Sequence, residues 1–265
     1  MKAIADWNIP ASSQVTLLLE AGIHAQTDCV RVHHRCGARL RIVGSDDAAR
    51  PSVLRWTKAT DGLYVGQNHV LGCLAQVRIE HAARAARGNG SGVLADEGGH
   101  VHCGSGVSVS GFYYGFTARR RGSIRCAGSK VEGAGDAGYF AYMGGHLDAT
   151  ETESRRADDR AQRLGSGYVA EYNGTIDAAN AVAMECFLAG YNALSGGTIR
   201  AHRAVARKNL GSGFQSRDGG VIIAHDASSA DNGGYGVGNP GGGIFAGNNF
   251  ISRGNKADRE AKPRD

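Results

Sequence analysis

Two aspartates stand at matching places in neighbouring stretches of the sequence. Asp148 ends the tripeptide His-Leu-Asp and Asp177 ends the tripeptide Thr-Ile-Asp. If both tripeptides are strands on successive turns of one sheet, the carboxylates lie about 5 Å apart, a separation compatible with the acid and nucleophile of a glycosidase. A solvated row of charges, flanked by Arg125 and Arg200, explains the pattern without chemistry. The sequence therefore assigns no catalytic residue and keeps these two as candidates.

Aromatic side chains gather close to the same place. Phe140 and Tyr142 alternate along a segment with the period of a strand, so both point away from its inward face, and Tyr172 follows in the next stretch. Aromatic faces beside polar groups suit sugar rings. We take these three residues, with His146 and Arg125, as the candidate glycan-binding set. A contact between subunits explains exposed aromatics equally well.

Two charged stretches nearby can be explained by exposure to solvent, without a bound ligand. The triplet Arg119-Arg120-Arg121 could meet an anionic polysaccharide, but a turn exposed to water accounts for it as well. The segment Thr150–Arg160 is rich in both signs of charge and is predicted to be a solvated loop.

A group of Cys29, His33, His34 and Cys36 contains metal-ligand residue types. No second ligand pair with finger spacing follows, and alternate residues of a strand would direct such side chains apart. We therefore predict neither a metal nor another cofactor. The six cysteines are too sparse for a disulfide scaffold and are predicted to be reduced.

The candidate residues belong to a repeat. Copies of one pattern, an aromatic residue, any residue and Ala followed by Gly and a short aliphatic stretch, begin 23, 23, 29, 23 and 23 residues apart. The clearest copies are GFTARRRGSIRC from 115, GYFAYMGGHLDA from 138, GYVAEYNGTIDA from 167 and GYNALSGGTIRA from 190. One interval contains six extra residues, which fall within Thr150–Ser166.

Each copy predicts two strands that alternate inward and outward side chains. The inward places hold Phe116, Tyr139, Tyr168 and Tyr191 on the first strand and Ile124, Leu147, Ile176 and Ile199 on the second. A Gly between the strands supplies either a positive φ or a tight corner. One copy cannot bury its own apolar row, so copies must stack. The prediction is an all-β fold, a parallel β-helix (β-solenoid) with about 23 residues per coil.

The composition narrows the classes of function that the chain can have. Gly accounts for 41 of 265 residues, whereas the stretch 52–239 contains no Pro and can be continuous sheet. The net charge of +5 is spread along the chain, so nucleic acid is not an expected partner. Neither a signal peptide nor a membrane span is evident. We expect a protein made in the cytoplasm without insertion into a membrane.

The chain divides into four parts on these grounds. Residues 1–14 are predicted to form an N-terminal cap or attachment segment, 15–91 the irregular opening coils, 92–253 the regular coils, and 254–265 a charged C-terminal tail. Short apolar runs such as Val15–Leu19 and Leu40–Val43 are the strands expected in the opening coils.

Several phrases resemble the right-handed β-helix of phage tail fibres, tailspikes and gene-transfer-agent spikes. They are QVTLLLEAGIH from 14, RLRIVG from 39, DGLYV from 61 and the aromatic-x-Ala coils. The resemblance covers roughly residues 8–250. It implies a right-handed helix, a place on a virion beside other virion proteins, frequent homotrimers and binding to bacterial surface polysaccharide. Pectate-lyase-like enzymes and tailspike depolymerases share the coil.

The functional expectation is accordingly a phage-like virion fibre or spike that attaches to host cell-surface polysaccharide. A polysaccharide depolymerase, either glycosidase or lyase, is the alternative, and a purely structural particle protein is the second alternative. The absence of a dense cluster of Asp, Glu, His and Arg over several coils favours the non-enzymatic role.

Overall fold

The protein forms a stack of coils in which the chain returns to the same three sheets. The computed structural model describes residues 8–83 and 89–257. Within these ranges the chain runs through three parallel sheets of ten, ten and nine strands, and every third strand joins the same sheet. The predicted cap, residues 1–14, and the predicted tail, 254–265, lie partly outside the described residues. The predicted parallel β-helix is confirmed; crossovers between parallel strands are normally right-handed.

The strands are short and follow one another in fixed order around each coil. The first sheet contains β1 Val15–Leu18, β4 Leu40–Val43, β7 Val70–Ala75, β10 His100–Cys103, β13 Ser123–Arg125, β16 His146–Asp148, β19 Thr175–Asp177, β22 Thr198–Arg200, β25 Val221–Ile223 and β28 Ile244–Ala246. The second contains β2 Gly22–Gln26, β5 Ser52–Trp56, β8 Val77–His81, β11 Ser108–Ser110, β14 Lys130–Glu132, β17 Glu153–Arg155, β20 Val182–Met184, β23 Val205–Arg207, β26 Ser228–Ala230 and β29 Ile251–Arg253. The third contains β3 Val30–Val32, β6 Leu63–Val65, β9 Ser91–Ala95, β12 Tyr114–Arg119, β15 Ala137–Tyr142, β18 Ser166–Glu171, β21 Ala189–Leu194, β24 Ser212–Arg217 and β27 Val237–Gly238.

Helical structure is minor in the described ranges. A 3-10 helix covers Gly37–Arg39, just before β4. No described helix is long and apolar enough to cross a lipid bilayer. At a spacing of about 4.8 Å per coil, ten coils make a rod roughly 48 Å long.

The interior is a set of columns in which like residues lie above like. The rings of Tyr139, Tyr168, Tyr191 and Phe214 are nearly parallel, with successive centroids 4.8, 4.7 and 4.7 Å apart. The tyrosine hydroxyls reach polar groups at the edge of the core; that of Tyr191 donates to the Ala181 carbonyl at 2.7 Å. Because those hydroxyls are bonded, tyrosine can occupy a fully buried column.

The glycine between the first and second strands of each copy does not adopt a positive φ. Its role is the other one that the sequence predicts, a tight corner. In the corner after β15, the positive φ values belong to Met143 (49°) and Gly144 (74°). Gly145 follows them, and a Cβ there would lie 2.0 Å from the Ala118 carbonyl oxygen of the preceding coil. The close approach of two coils therefore excludes a side chain at Gly145, as the tight-corner explanation requires.

A buried ladder of asparagines closes the corner between the second and third sheets. Asn209 Nδ2 donates to Asn232 Oδ1 at 2.9 Å, and Asn232 Nδ2 donates to Asn255 Oδ1 at 2.8 Å. The same oxygens also accept from backbone amides. The oxygen of each side chain thus satisfies buried groups of the coil before its own, which water cannot reach.

The six extra residues of one coil occupy the corner between β17 and β18. Strand β17 keeps its register with both neighbouring coils, so the longer connection is 156–165, which we call the insertion loop. The corresponding connections are 133–136 and 185–188. The prediction of a solvated loop throughout Thr150–Arg160 is wrong for its first half, because Thr152 and Ser154 are buried. Alternation within β17 turns Ser154 into the core.

Candidate functional site

The two aspartates considered as catalytic candidates are neighbours on the outer face of the first sheet. Asp148 and Asp177 are direct register partners in β16 and β19. Asp177 Oδ1 accepts from Arg200 Nη1 at 2.9 Å, and its other oxygen lies 3.7 Å from His146 Nε2. Asp148 accepts from the Thr150 hydroxyl at 2.9 Å. Their side chains are satisfied by neighbours on an exposed, flat face, as a solvated row of charges would be.

The predicted aromatic residues come together on the outer face of the third sheet and continue further than the sequence suggested. Tyr114 stacks on Phe140 with 4.9 Å between centroids and 17° between planes. Phe140 lies 5.5 Å from Tyr142, and Tyr142 meets Tyr172 edge to face at 5.4 Å. We call Tyr114, Phe140, Tyr142 and Tyr172 the aromatic strip. It spans three coils and presents partly exposed rings to solvent.

The remaining members of the predicted glycan-binding set lie elsewhere. Arg125 and His146 belong to β13 and β16 of the first sheet, around the corner from the aromatic strip. The prediction that five residues form one set therefore divides into three on the third sheet and two on the first. The reason is that the corner 143–145 turns the chain from one sheet to the next between Tyr142 and His146.

Carboxyl groups lie at both ends of the aromatic strip, Asp136 at the Tyr114 end and Glu171 as the register partner of Tyr142. The Tyr114 hydroxyl is hydrogen-bonded to Asp136, which is mostly buried at the corner before β15. Burial raises the pKa of Asp136 to about 6; the Tyr114 hydrogen bond opposes the rise, and the charges of Glu171 and Asp159 add to it. Burial also raises the pKa of Glu171, against the positive charge of Arg217. Carboxyl groups with raised pKa values can carry a proton near neutral pH.

The insertion loop borders this group. Tyr113 packs edge to face on Tyr114 with 4.9 Å between centroids. The Tyr113 hydroxyl donates to Asp159 Oδ2 at 3.3 Å. Asp159 and Leu164 exchange backbone hydrogen bonds of 3.0 Å, which close the loop on itself. The six-residue extension is thereby fixed near the Tyr114 end of the aromatic strip.

The floor of the site is the outer row of the third sheet. Phe140, Val169 and Asn192 are register partners on successive coils. They face outward because they alternate with the buried tyrosines of the core. Asn192 is nevertheless only 3% exposed, and its Oδ1 has no hydrogen-bond partner among the described residues. Glu171 lies two places along from Val169 on β18, diagonally across from Asn192.

The arginine triplet is largely explained by an internal ion pair. Asp96 has a side chain only 1% exposed, and it pairs with both Arg119 and Arg120. Burial raises the pKa of Asp96, but the hydrogen bonds from Arg120 and Arg119 together outweigh burial and lower the pKa overall. The side chains of Arg119 and Arg120 nevertheless remain 41% and 45% exposed, so the turn exposed to water is present, and two of its three arginines are held by Asp96.

The cysteine and histidine group does not converge on one point. His33 packs against His69 at 5.5 Å between centroids, whereas His34 Nδ1 accepts from the Cys36 backbone amide at 3.0 Å. Burial, followed by the charge of Asp61, raises the pKa of the Cys29 thiol to about 11. Within residues 8–83 and 89–257, no group of three or more His, Cys, Asp or Glu side chains could hold a metal ion.

Three site residues escaped the sequence analysis: Tyr114, Asp136 and Glu171. Tyr114 begins β12 at a place where the neighbouring coils have Ser91, Ala137 or Ser166, so the signal was an aromatic residue in a column of small ones. Glu171 occupies an outward place that varies from coil to coil. Asp136 belongs to a corner, and no strand periodicity predicts the direction of its side chain.

Comparison with known proteins yields a similarity of fold. No family model matches the sequence, and no curated protein matches it. The A-module of the mannuronan C-5 epimerase AlgE6 from Azotobacter vinelandii is a similar solved structure, with a TM-score of 0.48 and 12% identity over 96% of this chain and 92% of that one.

Proposed function

We propose that this protein binds a polysaccharide chain along the outer face of the third sheet, with the aromatic strip as the main contact. The observation that supports this is the continuous row of partly exposed rings from Tyr114 to Tyr172. Consecutive rings 4.9 to 5.5 Å apart offer a long apolar surface, and carboxyl and hydroxyl groups lie along its edge. Sugar rings combine apolar faces with hydroxyl rims and complement such a surface.

The setting that we propose is a fibre or spike of a phage-like particle that attaches to bacterial surface polysaccharide. The support is the resemblance of the coils to phage and gene-transfer-agent spikes, together with the rod form of about ten coils. A homotrimer and contacts with other virion proteins belong to the same proposal. In a trimer, the aromatic strip has to remain open to solvent if it binds glycan.

The test measures binding of the full-length protein to purified bacterial capsular polysaccharides and lipopolysaccharide O-chains by calorimetry. The double variant Phe140→Ala, Tyr142→Ala should bind at least about tenfold more weakly, because a stacked aromatic contact contributes roughly 1 kcal/mol or more. Tyr235→Ala is the matched control, since Tyr235 is an exposed tyrosine on a distant coil.

The binding result separates the alternatives. Equal affinity of the double variant and the Tyr235 control would remove the aromatic strip from the binding site. Absence of binding to the whole panel by the wild-type protein would favour the purely structural role. Thermal unfolding of each variant should show a folded rod, because the replaced side chains lie on the outer face.

A further inference from the structure

We propose that the polysaccharide held by the aromatic strip is an acidic one, and that Arg121 binds a carboxylate of its sugars at the corner where the third sheet turns into the first. This inference rests on the proposed function, because the strip must hold the chain, and it adds the class of ligand and a residue that determines specificity. The corner lies directly beyond the strip, since Met143 follows Tyr142 in the chain and Arg119 is the register partner of Tyr142.

Arg121 occupies a backbone position that long side chains rarely adopt. Its φ is 66°, in the left-handed region, and the same place on the two adjacent coils holds Gly98 and Gly144 at 77° and 74°. Asn68 and Asn173 fill this place on the coils beyond them. Glycine and asparagine tolerate the conformation, whereas a long side chain adopts it at an energetic cost. An arginine here, in place of Gly or Asn, indicates that its side chain has a task at the surface.

The guanidinium of Arg121 is available to a ligand. Arg121 is exposed and forms no ion pair with another residue of the described ranges. It lines an open cleft of about 470 Å³, whose other lining residues are Asn68, Glu97, Gly98, Arg120 and Met143. The volume lies within the range that is usual for clefts that bind small ligands.

Two ion-paired arginines adjoin Arg121 and determine the charge of the corner. The buried carboxylate of Asp96 accepts from Arg119 Nε at 3.0 Å and from Arg120 Nε at 2.7 Å. Glu97 Oε1 lies 3.1 Å from Arg120 Nη1. The two carboxylates balance the charges of Arg119 and Arg120, so the positive charge of Arg121 remains. One guanidinium matches one carboxylate, which it can bind through two parallel hydrogen bonds.

The charges on either side of Tyr142 set the direction in which an acidic chain extends. The register partner of Tyr142 is Arg119 on the preceding coil and Glu171 on the following coil. A sugar carboxylate near the Tyr142 ring is therefore repelled from the side of Glu171 and attracted to the side of Arg121, where the cleft opens. A neutral polysaccharide gains nothing from this arrangement.

The experiment measures, by calorimetry, binding of the full-length protein to acidic capsular polysaccharides and to the same polymers after chemical reduction of their carboxyl groups to alcohols. The wild-type protein should bind an acidic polymer at least about tenfold more tightly than its reduced form, because charge-assisted hydrogen bonds contribute roughly that factor. Arg121→Asn should lose this preference and bind the reduced form as the wild type does. The variant should fold, since Asn173 occupies the equivalent place on a nearby coil.

Arg203→Asn is the matched control. Arg203 is also an exposed arginine at a positive φ of 55°, and Asn180 occupies the equivalent place on the preceding coil at 56°. It lies at the corner between the first and second sheets, away from the aromatic strip. This variant removes the same charge and should leave both affinities within about twofold of the wild type, because solvent and salt screen a distant exposed charge.

The results separate this site from the aromatic strip. Equal binding of acidic and reduced polymers by the wild-type protein overturns the carboxylate site and leaves the strip as the proposed binding surface. Equal weakening by Arg121→Asn and Arg203→Asn also overturns it, because the attraction is then one of overall charge. The double variant Phe140→Ala, Tyr142→Ala should instead weaken binding of both polymer forms. If the wild-type protein binds neither form, both proposals fail.

Discussion

The ring of Tyr114 lies on the ring of Phe140, 4.9 Å between centroids, while the hydroxyl of Tyr114 is bonded to Asp136. One side chain thus joins the apolar surface of the aromatic strip to a carboxyl that holds a proton unusually well. This relationship makes the properties of Asp136 sensitive to single substitutions in the strip.

Removing only the hydroxyl of Tyr114 should raise the pKa of Asp136 above about 6. A hydrogen bond to a carboxylate favours its charged form, so its loss favours the protonated form. Tyr114→Phe retains the ring and its stack on Phe140. Titration of the Asp136 carboxyl by carbon NMR measures the change, with Tyr142→Phe as a control from the same strip. An unchanged or lowered pKa in Tyr114→Phe would show that the hydrogen bond does not govern this carboxyl.

Asp136 should cost stability at neutral pH. Its pKa is 3.8 as a free side chain and about 6 in the fold, so the folded state binds more protons than the unfolded state between these values. The free energy of unfolding therefore decreases as the pH rises through this window, by at most about 3 kcal/mol. The side chain of Asp136→Asn is uncharged at every pH, so this decrease in the free energy of unfolding is absent from the variant.

Denaturant unfolding of Asp136→Asn and wild type at several pH values provides the measurement. The variant should be the more stable protein at pH 7, and its advantage should disappear below about pH 4. A constant difference across the pH range would mean that the substitution acts through packing and not through the proton.

The coil architecture could be predicted because each inward place needs the same kind of buried side chain in every copy. Tyr139, Tyr168 and Tyr191 occupy the same column, so their spacing of 29 and 23 residues reveals both the coil and the extra residues. The exact place of those residues within Thr150–Ser166 could not be predicted. Ser154 is polar, and only its register with β14 and β20 shows that it belongs to a strand.

The roles of Asp136 and Glu171 in the candidate site could not be predicted either, because neither residue occupies an inward place. Outward places are not constrained to match, so Glu171 shares its row with Tyr142 and Leu194 and forms no pattern along the sequence. Asp136 and Tyr114 approach each other because a corner of one coil lies beside the strand of the coil before it. That proximity depends on side-chain direction at a corner, which periodicity does not determine.

Two adjacent glycines of one corner should respond differently to alanine. A Cβ at Gly145 would lie 2.0 Å from the Ala118 carbonyl oxygen, whereas one at Gly144 would meet nothing within 4 Å. Gly144 has a φ of 74°, and the equivalent places on neighbouring coils hold Arg121 and Asn173 at positive φ. Gly145→Ala should cost about 3 kcal/mol or more by forcing two coils apart, and Gly144→Ala only about 1 kcal/mol. Chemical denaturation of both variants makes the comparison, and equal losses would contradict the close-approach explanation.

Removing the polar side chain of Asn192 should stabilise the stack of coils. Its Oδ1 is buried without a partner among the described residues, and an unsatisfied buried group costs roughly 1–3 kcal/mol. Asn192→Leu, which is similar in size and lacks the polar atom, should therefore raise the free energy of unfolding by about 1 kcal/mol. Asn209→Leu is the matched control: Asn209 Oδ1 accepts from the Cys186 amide at 3.0 Å and its Nδ2 donates to Asn232, so that variant should lose stability. Chemical denaturation of both variants makes the comparison, and a destabilised Asn192→Leu would make Asn192 a structural residue like Asn209.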